Sequence, residues 1–370
     1  MYNKDHKLLF TRTIMEDKNK KVTMQDVAKK AGVSYQTVSR VLNNSCNVSP
    51  STKEKIENAI AELKYVPNLL AQQLAKKDRN VIGIVNTSIP SVAATEVASL
   101  CRKYALESGY HIALTIASAN DYQSISDAIL ELKAQIISKV VVNMPVESSD
   151  AIKLTEDFPD VTLIFIDVDP YCPVFNVTFN PADGTLFSVS HLRELGHHKI
   201  AILAGPEGIS SSESRLKCWR EGIRINNLEE VCFERGDWST QSGYLATLKM
   251  LRDNRDFTAI LVANDQMALG AISALSQNNL SVPEDVSVVG YDDYQDSAYY
   301  LPPLTSVHLD RDMQCKLTIS KLINENEPKA SSVLPTTLVI RQSTANTNLR
   351  NSNVKNLVKA LREAANLLEK

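Results

Sequence analysis

The stretch that decides the architecture is Thr23–Leu42, TMQDVAKKAGVSYQTVSRVL. Thr23 stands where a hydroxyl caps a helix, and Asp26, three residues on, supplies the acidic side of a capping box. Val27, Ala28 and Ala31 then fall on one helical face, and Gly32 ends the helix because it tolerates positive φ. Ser34 caps a second helix whose inner face is Val38, Val41 and Leu42. Its outer face carries Tyr35, Gln36, Ser39 and Arg40, residue types that read base edges in a major groove. The spacing predicts a helix-turn-helix and, with it, sequence-specific binding of double-stranded DNA.

Downstream, Ser49 or Ser51 caps a third helix, Pro50 suits its first turn, and Ile56, Ile60 and Leu63 form its inner stripe. Tyr65-Val66-Pro67 ends it. Asn68–Ala75 is helical in pattern but too short to be stable alone, and Lys76–Asn80 reads as a charged linker, so a boundary is expected near Asn80. Upstream, residues 1–21 are polar and aperiodic and read as a disordered arm, with Met15 as an alternative initiator.

Charge supports the division. Between Lys18 and Asn80 there are 12 Lys/Arg against 5 Asp/Glu, a charge of +7 in a chain whose total is −3, which leaves −10 elsewhere. A basic first segment suits phosphate neutralisation, which supplies most non-specific DNA affinity. The chain is long enough for two or three domains, and 22% charged with 44% hydrophobic residues is ordinary for a soluble globular protein. No apolar run approaches the roughly 18 residues of a membrane span, and the first residues lack a secretory h-region. Six scattered cysteines (46, 101, 172, 218, 232 and 315) show no metal-ligand or redox spacing, so a cytoplasmic protein with reduced thiols and no cofactor is expected.

From Val81 onward, apolar runs alternate with amphipathic helical stretches: VIGIV (81–85), HIALTIA (111–117), KVVVN (139–143), VTLIFID (161–167), KIAILAG (199–205), AILVAN (259–264) and SVVGYDD (287–293). Such runs predict parallel strands covered on both faces, too many for one small sheet, hence two α/β lobes split near Phe179–Asn180. Ligands of such lobes sit at the carboxyl ends of strands, where Asn143, Asp167, Asn264 and Asp292 recur. Each of these, taken singly, serves equally well as a cap of the following helix. The tail places Val354, Leu357, Leu361, Ala364 and Leu368 at 3-4-3-4 spacing, an a/d seam of two heptads that fits self-association, or a helix packed back on its own domain.

These segments together resemble the lactose-repressor/galactose-repressor family of bacterial transcription regulators, and within it the lactose-repressor branch. The resemblance runs from Val22 to Lys370 on VSYQTVSRV (33–41), VPNLLAQQLA (66–75), ERGDWS (234–239), LVANDQMALGA (261–271), SVVGYDD (287–293), PPLTSV (302–307) and the leucine-bearing tail. It implies an α/β chain: an all-α headpiece, a two-lobed core like a type I periplasmic sugar-binding protein, and a C-terminal oligomerisation helix. The implied divisions are an arm (1–21), a DNA-binding domain (22–67), a hinge helix and linker (68–80), an effector-binding core (81–343) and a linker with a tetramerisation helix (344–370). Within the core, lobe 1 would take 81–179 and 310–334, and lobe 2 would take 180–309 and 335–343.

By the same resemblance Tyr35, Gln36 and Arg40 read bases, Ser34, Thr37, Ser39, Asn43 and Tyr65 contact or position phosphates, and Leu74 wedges into the minor groove from a hinge that also carries Asn68 and Gln72. The implied effector site is Asn143, Asp167, Ser211, Arg215, Trp238, Asn264, Gln266 and Asp292, with polar groups gripping hydroxyls and Trp238 facing the sugar ring. Taken alone, Trp238 reads as core and Arg215 as surface charge.

Three features depart from the lactose-repressor branch: the smaller, more polar loop 90–95, Ala119 in place of an arginine, and Arg311 with Gln314 in place of an aromatic and an aliphatic wall residue. A new arginine beside the cleft favours an anionic or larger ligand such as a sugar phosphate, or turns to solvent. The expected function is a repressor of a carbohydrate operon of the lactose or β-galactoside type, binding operator DNA as a homodimer or homotetramer and released by a sugar-like inducer. A sugar-phosphate-responsive regulator of another operon and a corepressor-dependent repressor are the alternatives. Catalysis is not expected: His197-His198, Ser211-Ser212 and Asp292-Asp293 fall in no G-x-S-x-G, P-loop or H-E-x-x-H pattern. A transport-type sugar-binding protein would lack the headpiece.

Overall fold

The computed structural model describes residues 22–42, 48–65, 80–87, 92–324, 326 and 328–347. The chain divides into two compact units, residues 1–79 and residues 80–370. The first holds helices α1 (Met24–Ala31), α2 (Tyr35–Leu42) and α3 (Pro50–Leu63). Thr23 caps α1 in a reciprocal box: the Asp26 N–H donates to Thr23 Oγ1 at 3.3 Å, and the Thr23 N–H donates to Asp26 Oδ2 at 2.8 Å. Gly32 ends the helix at φ 66°, in the left-handed region open to glycine. The Thr37 N–H donates to Ser34 Oγ at 3.2 Å, and of the two candidate caps of α3, Ser49 receives the Thr52 N–H. Helices of this length do not persist alone in water. Burial of Val27, Val38 and Ile56, one from each helix, supplies the tertiary contact that holds them.

The second unit is built on two sheets. The first runs β2 (His111–Ala117), β1 (Val81–Thr87), β3 (Lys139–Asn143), β4 (Thr162–Phe165), all parallel. A bridge from Phe165 to Asn176 leads on to β5 (Val177–Phe179), which pairs with β11 (Ser332–Leu334). The second sheet runs β7 (Glu229–Arg235), β6 (Lys199–Ala204), β8 (Ala259–Val262), β9 (Ser287–Asp292), β10 (Thr305–His308), and then β12 (Thr337–Val339), the one antiparallel member. Each sheet therefore has the order 2-1-3-4-5 of a doubly wound fold, with its switch point between the first and third strands.

Helices α4 (Val92–Glu107), α5 (Tyr122–Ala134) and α6 (Ser148–Asp157) connect the first sheet. Helices α7 (Pro181–Glu194), α8 (Ser210–Ile225), α9 (Thr240–Asp253) and α10 (Asp265–Gln277) connect the second. Helix α11 (Arg311–Ile323) follows β10 yet packs on α4 and on strands β3, β4 and β5 of the first sheet. The chain passes between sheets after β5, after β10 and after β11. Residues such as Ile82, Ile84, Val140, Ile202, Ile260 and Val288 are fully buried, as central parallel strands require.

Burial on both faces does not hold for HIALTIA. As β2 it is the outer strand: Thr115 and Ala117 are buried, while Leu114 and Ile116 on the opposite face are 52% and 59% exposed. Sequence alone does not reveal which apolar run lies at an edge. VTLIFID forms a strand only to Phe165, leaving Asp167 in the loop beyond it. The charged run Glu229–Arg235 forms β7, an edge strand whose polarity hides its character.

Candidate functional site

In the headpiece, α2 presents Ser34, Tyr35, Gln36 and Arg40 to solvent, with Tyr35 51% exposed, while Thr37 and Ser39 are half-buried beside them. The Thr37 hydroxyl bonds the Ser34 hydroxyl at 2.8 Å, so these two are held as one cap. Tyr65, assigned a phosphate or positioning role by resemblance, is 8% exposed and belongs to the small core under α1 and α3. Asn43, Asn68, Gln72 and Leu74 lie outside the described residues, as do the tail positions Val354, Leu357, Leu361, Ala364 and Leu368 and the arm 1–21.

In the second unit one cavity of about 270 Å³ takes in all the effector residues expected from sequence: Asn143, Asp167, Ser211, Arg215, Trp238, Asn264, Gln266 and Asp292. The two switch points explain the convergence: β3 ends at Asn143, Asn264 follows β8, and Asp292 ends β9. The Asn143 amide donates to Asn86 Oδ1 and to the Ala94 carbonyl, both at 3.0 Å, which spends its two hydrogens and leaves its oxygen as acceptor. Asn264 is at once cap and lining residue. Its oxygen receives the Met267 N–H at 2.9 Å, and its amide donates to the Trp238 carbonyl at 2.9 Å and to Gln266 Oε1 at 3.2 Å. For this residue the capping alternative is satisfied without removing it from the cavity.

Trp238 adopts φ 76°, and its ring lies against Gly205, where an added Cβ would stand 2.3 Å from Trp238 Cη2. Glycine at 205 is what lets the indole lie flat along the end of β6. Arg215 stacks its guanidinium 3.9 Å from the Tyr291 ring centre and 5.5 Å from that of Trp238. It also donates to the Ala263 carbonyl and lies 3.5 Å from Asp292 Oδ1. The Asp167 carboxyl faces Ser211 and Arg215, and burial pushes its pKa up, with Arg215 and Ser211 opposing.

Arg311 does not turn to solvent. It is 7% exposed and donates through Nη2 to Asp292 Oδ1 at 2.9 Å and through Nη1 to the Asp292 carbonyl at 3.3 Å, with Glu96 3.8 Å away. Gln314 spends its amide hydrogens on the carbonyls of Ile166 and Val177, at 3.1 and 2.8 Å, tying the ends of β4 and β5 together. Sequence reading missed Asp265. It is fully buried at the start of α10 and receives the Tyr294 N–H and the hydroxyls of Ser297 and Ser306. Its carboxyl is pushed up to about 7, first by burial and then by Asp292, with the three donors opposing. Its place inside the ANDQ motif was the available signal. His197, in the turn between α7 and β6, bonds Thr258 and the Ala345 carbonyl and is structural. Among the described residues no group of three or more His, Cys, Asp or Glu is placed to hold a metal ion, and no helix is long and apolar enough to cross a membrane.

Comparison with known proteins agrees with this arrangement. Residues 23–68 match the lacI family of bacterial regulatory proteins, and residues 189–344 match a periplasmic binding protein-like domain. The chain is 38% identical over 349 residues to the lactose operon repressor of Escherichia coli (strain K12), covering 94% of this chain and 97% of that protein. The chain belongs to the LacI family. A second relative, the HTH-type transcriptional repressor PurR of Haemophilus influenzae (strain PittEE), is 30% identical over 288 residues, or 77% of this chain and 85% of that one. Among solved structures, the lac repressor dimer bound to operator and the anti-inducer ONPF superposes with a TM-score of 0.81 at 39% identity, covering 88% of this chain and all of that one. This LacI-family member is a DNA-binding transcriptional repressor with a periplasmic-binding-protein-like core.

Proposed function

We propose that this repressor binds an operator of the lactose type and is released from it by a neutral sugar, a β-galactoside being the first candidate, held between the two core lobes. The observation that carries the ligand class is the state of the two arginines. Both Arg215 and Arg311 are engaged by Asp292 and by main-chain carbonyls, while the Asp167 carboxyl faces the cavity. A phosphate or uronate would meet Asp167 and Asp292, with the cations of the cavity already paired, and repulsion would oppose it. A polyhydroxyl ring instead donates to Asp167 and to the free oxygen of Asn143, and lays its C–H face on Trp238. The pairing of Arg311 with Asp292 therefore weighs against the sugar-phosphate alternative.

On the DNA side, the exposure of Tyr35, Gln36 and Arg40 along α2 supports base reading in a major groove. The relative solved with operator is a dimer, and this chain is proposed to act likewise, two headpieces taking the half-sites, with the tail seam at Val354, Leu357, Leu361, Ala364 and Leu368 joining dimers. Asn43, Asn68, Gln72 and Leu74 are proposed to complete the DNA contacts. The division into hinge (68–80) and into lobes joined by three crossovers is part of the same reading. Inducer needs only to bind the low-affinity state better, with a coupling of about 1–3 kcal/mol. The test is operator titration against neutral sugars, sugar phosphates and uronates, with Trp238 emission as second readout. Release by a phosphate and by no neutral sugar would overturn the ligand class.

A further inference from the structure

Arg311 is the first residue of α11, which packs on α4 and the first sheet, whereas Asp292 ends β9 of the second sheet. Their ion pair therefore joins the two lobes at the β10–α11 crossover, where His308 stands opposite Asp292 in register. It belongs to an alternating series: Glu96 on α4, Arg311 at 3.8 Å, Asp292 at 2.9 Å, and Arg215 on α8 at 3.5 Å. Asp167, from the loop after β4, faces Ser211 and Arg215 of the second lobe in the opposite sense. Each lobe thus offers one cation and one anion to the other, and the two faces complement each other.

Arg311 grips Asp292 by its carboxylate and its carbonyl together, with its guanidinium 5.0 Å from the Tyr294 ring centre. Asp292 itself sits at φ 106°, a conformation that a non-glycine residue holds only when its surroundings impose it. The fork of a guanidinium is suited to this double grip in a way that a lysine is not.

We propose that Arg311 is a positioning residue that latches the two lobes through Asp292, so that the cleft is drawn together before inducer arrives and inducer shares Asp292 with it. This rests on the reading of the cleft as an effector site, and its consequence follows from population arithmetic. A latch that raises the fraction of the binding-competent state strengthens apparent affinity by that fraction. Substituting the latch residue should then open the ligand-free cleft as well as weaken inducer.

The experiment uses the full chain without ligand and measures acrylamide quenching of Trp238, with the buried Trp219 as internal reference. Arg311→Met is expected to increase Trp238 quenching. Asp292→Asn, which also removes the Arg215 pair, is expected to do at least the same, and the double variant less than the sum of the two, because the Arg311–Asp292 pair is common to both. Arg311→Lys should restore part of the protection. With a neutral sugar that binds the parent protein, Arg311→Met should weaken affinity roughly tenfold, the factor by which the closed population falls. Unchanged quenching in a variant with parental circular dichroism, or strictly additive effects of the two substitutions, would overturn the latch. If Arg311→Met does not fold, Arg311→Gln, neutral and of similar reach, is read in its place. Because quenching needs no ligand, a panel in which no sugar binds would refute the inducer reading and leave the latch standing.

Discussion

Replacing Asp167 by Asn keeps the shape of the side chain and removes its charge. In the cavity Asp167 faces Ser211 and Arg215, and its raised pKa shows that burial opposes ionisation there. A hydrogen bond to an ionised group is worth about 1.5–3 kcal/mol, against about 0.5–1.5 kcal/mol for a neutral pair. A sugar that donates one hydroxyl to each carboxylate oxygen would lose one such difference at the retained oxygen. At the other position it would meet an amide donor, itself pressed toward the Arg215 guanidinium. The sum is about 2–3 kcal/mol, or roughly 30- to 150-fold in inducer affinity. The assay is operator release followed by fluorescence anisotropy of labelled duplex, as a function of inducer concentration.

The parent should also lose inducer affinity at acid pH sooner than an ordinary aspartate would dictate, because protonation of a carboxyl with a raised pKa begins earlier. The Asn variant should lack that limb. Release at the parental inducer concentration, with the parental pH profile, would refute the role of Asp167.

Gln36→Ala should cost about 1–3 kcal/mol of operator discrimination, as expected of a bidentate contact to a base edge, and an unchanged preference over a scrambled duplex would count against it. Asp265 supplies a pH dependence of stability with a definite sign. Its folded pKa of about 7 lies above the usual value of 3.8, so its contribution is full below about pH 4 and is lost as pH rises to 7. At about 1.4 kcal/mol per unit this is at most about 4 kcal/mol, and Asp265→Asn should flatten that limb in urea unfolding from pH 5 to 8. An equal slope in parent and variant would assign the dependence to other groups. Deleting the chain from Val354 onward should reduce tetramers to dimers that still bind operator; sedimentation at unchanged mass would remove the seam.

The helix-turn-helix was legible in the sequence because each of its parts is local. A cap and its partner lie three residues apart in Thr23–Asp26, a left-handed stop needs only Gly32, and one face of α2 is set by helical period. The strands of the core were legible for the same reason, since β-branched runs declare themselves over five to seven residues. The edge position of β2 was not, because its neighbours in the sheet come from elsewhere in the chain. The fate of Arg311 was not legible either. In sequence it stands beside Asp310 and Asp312, and only the pairing of β10 with β9, which sets His308 opposite Asp292, brings it against that carboxylate, nineteen residues earlier. Sequence determined which chemistries the cleft contains, since side-chain type is local. Tertiary structure decided which charges neutralise each other, because pairing depends on distances between strands and helices that the chain order leaves open.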